Sequence, residues 1–275
     1  MSKADNIFKN MCKDILENGT SSVGQVVRPK WSDGTPAHTI KKFGVVNRYD
    51  LAQEFPILTL RPTPLKLTID ELLWIWQKKS NNVNDLNSRI WDEWADEDGS
   101  IGSAYGEQLR IKHKYKEGSF DQVDRVLYDL KNNPYSRRII TNMYNHEDLY
   151  LMNLYPCAYS VTFNVVENKL NAILNQRSSD VIMANNWNVV QYAILLHMFA
   201  IVSDLEVGEL VHVISDAHIY DRHIRIAKEL INRESYNPPK LVINKKNNFY
   251  DFTVDDFKLE NYNKNEQIKN IPIAI

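Results

Sequence analysis

A chain of 275 residues with 43% hydrophobic and 25% charged side chains has an ordinary globular composition and can bury a large core. Its formal net charge of −2 provides no overall basic field, which excludes a protein that wraps nucleic acid. Two cysteines cannot form a disulfide framework, no apolar run of signal-peptide length begins the sequence, and polar residues interrupt the most apolar segment. We therefore expect a cytoplasmic protein without a membrane span.

Neither a repeat nor a long linker divides the chain, so we predict one domain over residues 1–275. In chain order, the spacing of apolar residues predicts helices at 4–18, 65–79, 121–134, 187–205 and 221–234. Gly19, Pro64 and Pro134 stand at expected helix boundaries. Alternating apolar and polar residues predict strands at 159–166, 169–176 and 210–215. Adjacent strands among helices indicate an α+β fold with a mixed or antiparallel sheet flanked by helices.

Cys157, in the stretch LYPCAYS, is either a small buried residue at the start of a strand or a nucleophile. The motifs NPYSRR (133–138) and NQRSSD (175–180) place arginine beside serine, and arginine matches phosphate oxygens in a bidentate fashion. The alternative is surface arginines paired with carboxylates. Together with Arg28, the two motifs around Cys157 predict an anion site that would also lower the pKa of the thiol.

Two further features allow two interpretations each. His218 and His223, in HIYDRH, are metal ligands or hydrogen-bond donors to a sugar hydroxyl, and their spacing of five does not place both on one helical face. Glu71, inside the apolar stretch DELLWIWQ, is a buried proton-transfer group or an exposed helix residue. Neither the GxGxxG dinucleotide motif nor the GxxxxGK[ST] phosphate loop occurs.

Nearly the whole chain resembles the thymidylate synthase family. The resemblance is carried, in the family's order, by DGTPAHT, FPILT, ELLWIWQ, IWDEWADEDGSIGSAYGEQLR, DQVDRVLYDLKNNPYSRR, YPC, NQRSSDV, NVVQYAILLHMFA, GELVHVISDAHIYDRHI and DFKLENYNKNEQIKNIPIAI. It implies the family's fold, with one sheet face used for dimerisation. It also implies reductive methylation of dUMP to dTMP, with 5,10-methylenetetrahydrofolate as the one-carbon and hydride donor, dihydrofolate as the second product and no metal.

The resemblance also implies roles for individual residues. Cys157 would add to C6 of the pyrimidine, Glu71 would organise a water and proton network, and Tyr105 would help to remove the C5 proton. The implied dUMP contacts are Arg28, Gln176, Arg177, Ser178, Asp180, Asn188, His218 and Tyr220, with Arg137 and Arg138 from the other subunit of a homodimer. The implied folate contacts are Arg61, Trp91, Trp94, Asp180 and the closing residue Ile275.

Asn188 is the residue that would select the base. Its carboxamide offers a donor to O4 of uracil and an acceptor to N3–H, whereas an aspartate there favours cytosine in the related dCMP hydroxymethylases. The alternative is an amide that caps or packs within a helix. Asparagine therefore predicts a uracil nucleotide.

The sequence departs from the common family pattern at several positions. Alanine replaces histidine at 158 and glycine at 184, tryptophan replaces phenylalanine at 187, serine replaces glycine at 215, and Arg61-Pro62 occupies the place of basic residues thought to meet the folate tail. The added methyl group of Ala184 would crowd the pyrimidine if the backbone there required a positive φ or a close approach to the base. The alternatives to a synthase are a dUMP hydroxymethylase, in which water quenches the same intermediate, and a silent paralogue that binds nucleotide or RNA. Retention of Cys157, Trp91 and the apolar end IPIAI favours the synthase.

Overall fold

The computed structural model describes residues 1–275 and contains six α-helices and eleven strands. The helices are α1 (Lys3–Asn18), α2 (Leu65–Leu73), α3 (Gly106–Arg110), α4 (Gln122–Asn132), α5 (Asn185–Val202) and α6 (Ile224–Asn232). The strands are β1 (Thr20–Ser21), β2 (Thr39–Asp50), β3 (His113–Tyr115), β4 (Gly118–Phe120), β5 (Ile139–Asn142), β6 (Ala158–Val166), β7 (Lys169–Gln176), β8 (Ser179–Asp180), β9 (Glu206–Tyr220), β10 (Lys240–Ile243) and β11 (Phe257–Glu260). None of the helices combines the length and apolar character that a membrane span requires.

Seven strands form one mixed sheet in the order β1-β2-β9-β7-β6-β5, with β8 also beside β9. All pairs are antiparallel except β7 with β9 and β8 with β9, which are parallel. The pairs β3-β4 and β10-β11 form two small separate sheets. A mixed sheet with helices packed against it confirms the predicted α+β class.

Helix α1 forms as predicted. The Ser2 hydroxyl accepts the N–H of Asp5 at its start, and the helix ends before Gly19. Gly19 is required there for space and not for a left-handed conformation, because its φ is −80° and an added Cβ would lie 2.3 Å from the carbonyl oxygen of Ile15.

The prediction of one continuous helix over residues 65–79 was wrong in its last part. The α-helix ends at Leu73 and continues as a wider π-helical turn, Trp74–Lys78. That turn places Lys79, at φ +52°, so that its buried ammonium group lies 2.5 Å from the carboxylate of Asp121, the residue that caps α4. The π-helical turn is therefore explained by the ion pair that it allows.

The strands β6 and β7 form as predicted, with Val161, Phe163 and Val165 turned inward. Strand β9 is much longer than the predicted segment 210–215, because it pairs with β2 from Glu209 to Tyr220 and continues through the polar residue Asp216. The inner face of the sheet packs against the apolar helix α5, and α1 and α6 enclose a second, smaller cluster near Ile214. The start of β6 and the ends of β7, β8 and β9 meet at one edge of this core, where the site lies.

Candidate active site

Cys157 directly precedes β6 and is fixed through its backbone on both sides. Its N–H donates to the phenolic oxygen of Tyr105 over 3.0 Å, and its carbonyl oxygen accepts the N–H of Arg177 over 2.9 Å. The side chain is half-buried and forms no disulfide. These bonds hold the thiol in one position at the end of the sheet.

The thiol lies in a field set by two arginines. Its Sγ is 3.6 Å from Nη2 of Arg177. Burial raises the pKa of the Cys157 thiol above its ordinary value, whereas Arg177, the hydroxyl of Tyr105 and Arg28 lower it. The prediction of a lowered pKa was therefore right for the effect of the arginines and wrong for the outcome, because burial outweighs them. The resting group is the protonated thiol.

Arg177 is oriented by the chain that leads into Cys157. Its Nε donates to the carbonyl oxygen of Pro156 over 3.0 Å and its Nη2 to that of Tyr155 over 2.7 Å. A guanidinium group has five N–H donors, so these bonds leave several for an anion. Arg28 belongs to the same field from an exposed loop, since it acts on the Cys157 thiol. Ser178, the next residue after Arg177, is half-buried.

Arg137 and Arg138 occupy a different environment. They lie in the exposed segment between α4 and β5. Arg125 of α4 pairs with Glu117 and Asp129, whereas no carboxylate of the chain pairs with either Arg137 or Arg138. The structure therefore brings Arg28 and Arg177 to the thiol and leaves the other two arginines open to solvent.

Glu71 lies on the inner side of α2 and is only 5% exposed, so its interpretation as an exposed helix residue is wrong. Its Oε2 accepts the indole N–H of Trp187 over 2.7 Å. Burial raises the pKa of Glu71 to about 7, although hydrogen bonds, from Gln191 and Trp187 among others, lower it. A carboxyl group with such a pKa can gain or lose a proton near neutral pH.

The amide of Asn188 is held in one orientation by neighbouring side chains. Its Oδ1 accepts from Nε2 of Gln176 over 3.0 Å, and its Nδ2 donates to Oε1 of Gln191 over 3.3 Å. Gln176 is fixed in turn by the ring Nε2 of His212, 2.7 Å from its Oε1. Burial lowers the pKa of His212 to about 3, so the ring is neutral and its Nε2–H is the donor. The sequence analysis assigned a role in the site to neither Gln191 nor His212.

His218 and Tyr220 alternate along β9 and so lie on one face of the sheet, with ring centroids 5.0 Å apart. Nδ1 of His218 is 2.9 Å from Oδ1 of Asp216, whose other oxygen pairs with Lys41 over 3.0 Å. Asp216 fixes the imidazole ring. Asp216 lies two residues before His218, on the same face of a strand, and this spacing is the sequence signal that could have predicted their contact.

Asp180 ends β8 and accepts the backbone N–H groups of Ile182 (2.9 Å) and Met183 (3.1 Å). Its Oδ2 is 3.7 Å from Nδ1 of the fully buried His223, whose Nε2 is 2.7 Å from the carbonyl oxygen of Pro272. Burial lowers the pKa of His223, but Asp180 and Pro272 outweigh it and raise it overall. His223 therefore faces a different carboxylate from His218, and the two histidines do not share a metal site.

Aromatic rings form one wall near the thiol. Trp91 is buried and packs edge-on against Tyr105, with centroids 5.0 Å apart, and against Trp94, at 5.8 Å. Tyr105 has a φ of +49°, a strained backbone for a tyrosine, and burial raises its pKa well above the ordinary value. Its phenol is therefore protonated at neutral pH.

The family model described as "Thymidylate synthase" matches residues 6–274. The chain belongs to the thymidylate synthase family. It is 46% identical over 274 residues to the thymidylate synthases of Bacillus subtilis subsp. natto and Bacillus phage phi3T, in each case covering 98% of both chains. Its structure is similar to that of the thermostable thymidylate synthase A of Bacillus subtilis, with a TM-score of 0.95, 45% identity and complete coverage of both chains.

Thymidylate synthases methylate dUMP to dTMP and use methylenetetrahydrofolate as co-substrate, so the chain is an enzyme, a methyltransferase of dTMP biosynthesis. The family, fold, reaction and co-substrate that the sequence motifs implied are therefore confirmed. The roles of single residues remain predictions.

Two departures from the common thymidylate synthase pattern can be judged from the geometry. Ala184 precedes α5 with φ −107°, so its backbone does not require glycine for a positive φ. Trp187 supplies an N–H donor to Glu71, which a phenylalanine lacks. Ala158 is the buried first residue of β6, and nothing in the structure explains Ser215.

The predicted folate contacts Arg61 and Ile275 differ in exposure. The guanidinium group of Arg61 is turned inward, where it donates to the carbonyl oxygen of Ile182, and burial lowers its pKa against the opposing effect of Asp180. Ile275 is half exposed, and its backbone pairs with Lys30 in both directions, over 2.7 and 3.0 Å. The C-terminal residue therefore lies beside the loop that carries Arg28.

Proposed function

We propose that Cys157 is the nucleophile of this thymidylate synthase and adds to C6 of dUMP, so that C5 becomes a carbon nucleophile. The observation that carries the proposal is the 3.6 Å approach of the Arg177 guanidinium to Sγ of a cysteine whose backbone is fixed on both sides. The thiol gives its proton to solvent as Sγ bonds to C6 and the C5=C6 double bond opens towards O4, and the positive charges of Arg177 and Arg28 stabilise the thiolate. The remaining donors of these arginines, with Ser178, bind the phosphate of dUMP.

Two groups take part in proton transfer at the base. Glu71, with a pKa near 7, accepts and returns a proton through water at the pyrimidine. Tyr105, whose hydroxyl oxygen accepts the N–H of Cys157, uses its own O–H to position the water that removes the C5 proton. Their different pKa values suit one group that changes its charge and one that remains neutral.

Asn188 reads the uracil edge. Because Gln176 and Gln191 fix its amide, the free lone pair of Oδ1 accepts N3–H and the free N–H of Nδ2 donates to O4. His218 and Tyr220, ordered by Asp216, bind the 3′-hydroxyl of the sugar. Replacing Asn188 with aspartate should shift binding from dUMP toward dCMP in calorimetric titrations, and an unchanged preference would disprove base reading by the amide.

The residues proposed for folate fit a flat, partly aromatic ligand. Trp91 and Trp94 offer ring surfaces, and Asp180, supported by the inward Arg61, offers an acceptor for pterin N–H groups. When bound, methylenetetrahydrofolate supplies the one-carbon unit and the hydride. Ile275, paired with Lys30, closes the site against water, which favours the synthase outcome over hydroxymethylation.

The enzyme acts as a homodimer through the outer face of the main sheet. That face carries exposed apolar side chains, among them Phe43, 89% exposed, together with Ile140 and Ile173. Ile140, Thr162, Ile173 and Val211 follow one another across four neighbouring strands. A row of this kind is typical of a contact surface between chains. Arg137 and Arg138, which lack carboxylate partners, reach the phosphate of the other subunit from the edge of this face.

Mass spectrometry of the nucleotide product after incubation with dUMP and methylenetetrahydrofolate tests the reaction. A methyl gain with dihydrofolate supports the synthase, and a hydroxymethyl gain with tetrahydrofolate would replace it with the hydroxymethylase. Cys157→Ala should abolish product and leave dUMP binding within about threefold, since the phosphate and base contacts remain. Full activity of Cys157→Ala would disprove the nucleophile assignment, and Cys12→Ala, at the buried second cysteine, is the matched control.

Mixed dimers test the contribution across the interface. A chain with Arg137→Ala and Arg138→Ala has a complete thiol but donates no arginines, and a Cys157→Ala chain does the reverse. Each homodimer should be nearly inactive, whereas the mixture should regain activity in the one site that combines both intact parts. No gain on mixing, in a sample shown to contain heterodimers, would place the arginines within their own subunit.

The catalytic unit comprises residues 1–275 and acts in the cytoplasm. Both cysteines are free, as expected for a reducing compartment, and the family match extends over 6–274. Cell fractionation followed by immunodetection tests the location, and recovery in a compartment with disulfide-forming chemistry would disprove it.

A further inference from the structure

The indole N–H of Trp187 is a polar group for which the proposed mechanism has no use. Trp187 lies in the first turn of α5, directly before Asn188, and is half-buried. Its Nε1 donates to Oε2 of Glu71 over 2.7 Å, although the two residues are 116 positions apart. The length is typical of a charge-assisted hydrogen bond.

No lysine, arginine or histidine is among the groups that shift the pKa of Glu71. The titratable groups that act on it or are acted on by it are Asp70, on its own helix, and the tyrosines Tyr105 and Tyr192. Asp70 opposes a second negative charge, and burial raises the pKa of both tyrosines, which are therefore neutral. The ionised form of Glu71 thus depends on the neutral donors Gln191, Trp187 and Trp91, and the bond from Trp187 is 2.7 Å long.

This bond also fixes the geometry of the carboxyl group. Glu71 is on α2 and Trp187 on α5, two helices that pack against each other across the core. The bond at Oε2 restricts the rotation of the carboxyl group. Since Trp187 and Asn188 are adjacent on one helix, the proton-transfer group and the base-reading group share one rigid support.

We propose that Trp187 is a positioning residue for Glu71, whose carboxyl group it orients and helps to ionise through the indole N–H. This inference rests on the proposed function for its catalytic consequence but not for the bond itself. A hydrogen bond to a charged group is worth about one to two pKa units, and Trp187→Phe removes it while keeping an aromatic ring. The pKa of Glu71 should then rise by that amount.

Indole ¹⁵N NMR tests the bond without any activity. The Trp187 Nε1–H resonance, identified by its loss in Trp187→Phe, should titrate in the wild-type protein with a midpoint near the Glu71 pKa of about 7. In Glu71→Gln the same resonance should not move with pH. A Trp187 resonance that is insensitive to pH in the wild-type protein, or that titrates equally in Glu71→Gln, would overturn the proposal.

The pH profile of tritium release from [5-³H]dUMP tests the catalytic consequence. In Trp187→Phe the midpoint assigned to Glu71 should rise by about one to two pH units, with the KM for dUMP changed less than about threefold. In a Glu71→Gln background the substitution should have no further effect. Trp31→Phe, which removes an indole bond to Asp221 (3.0 Å), should not move the midpoint.

The two tests separate the possible failures. An equal loss of rate at every pH in Trp187→Phe, additive with Glu71→Gln, would reduce Trp187 to a packing residue and overturn the proposal. Absence of tritium release from the wild-type protein would contradict the proposed function, and the NMR titration would still decide whether the bond exists.

Discussion

Replacing Glu71 with glutamine should make the protein more stable above pH 7 and change its stability little near pH 4. Burial raises the pKa of Glu71 from 4.5 to about 7, so the folded state holds the proton more tightly than the unfolded state does. At about 1.4 kcal/mol per pKa unit, the wild-type protein loses about 3 kcal/mol of stability as the pH rises through this window. Glutamine carries no charge and still accepts the N–H of Trp187, so the variant avoids this loss.

Urea unfolding at pH 5 and pH 8, at one fixed protein concentration, measures the effect. We expect the free energies of unfolding of variant and wild type to diverge by roughly 2–3 kcal/mol between the two pH values, with the variant the more stable at pH 8. Glu17→Gln, at an exposed position of α1, is the matched control and should show no such divergence. A difference between Glu71→Gln and wild type that is the same at both pH values, or a less stable variant at pH 8, would refute the reasoning.

Three further substitutions probe other parts of the site. Arg177→Ala should raise the pKa of Cys157 and slow its alkylation by iodoacetamide at pH 7.5 by roughly tenfold; an unchanged rate would contradict the field described above. His223→Ala removes the anchor at Pro272, so carboxypeptidase should trim the C-terminal tail about five times faster, and equal trimming would show that the bond does not hold the tail. Gly102→Ala, at φ +72° with its added Cβ 2.0 Å from a backbone oxygen, should cost more than about 2 kcal/mol in urea unfolding, and a neutral result would mean that the loop moves freely.

Much of the fold could be predicted because apolar periodicity records which face is buried. The spacing in α1 and the alternation in β6 and β7 depend only on neighbouring residues, and these elements formed as expected. Strand β2 could not be predicted in this way, since Phe43 is turned outward and Gly44, at φ +74°, interrupts its alternation. It is extended because it pairs with β9.

For the site, the motifs identified the chemistry but not the orientation of the groups. The amide of Asn188 is fixed by Gln176 and Gln191, and Gln176 by His212, 36 positions along the chain. Periodicity alone left Glu71 open between a buried and an exposed position, and its burial follows from packing against residues such as Trp187 and Gln191 of α5. Contacts between residues so far apart in the sequence produce no local pattern from which they could be predicted.

The pairing of β2 with β9 has a consequence for synthesis of the protein. It joins residues between 159 positions apart, Asp50 with Glu209, and 181 positions apart, Thr39 with Tyr220. At about 5–20 residues per second on the ribosome, β2 waits roughly 10–30 s for its neighbour. During that interval its outward Phe43 and its unpaired edge are exposed to other nascent chains. We expect the first 50 residues to be where chaperones bind the growing chain, and the sheet to close only after most of it has been translated.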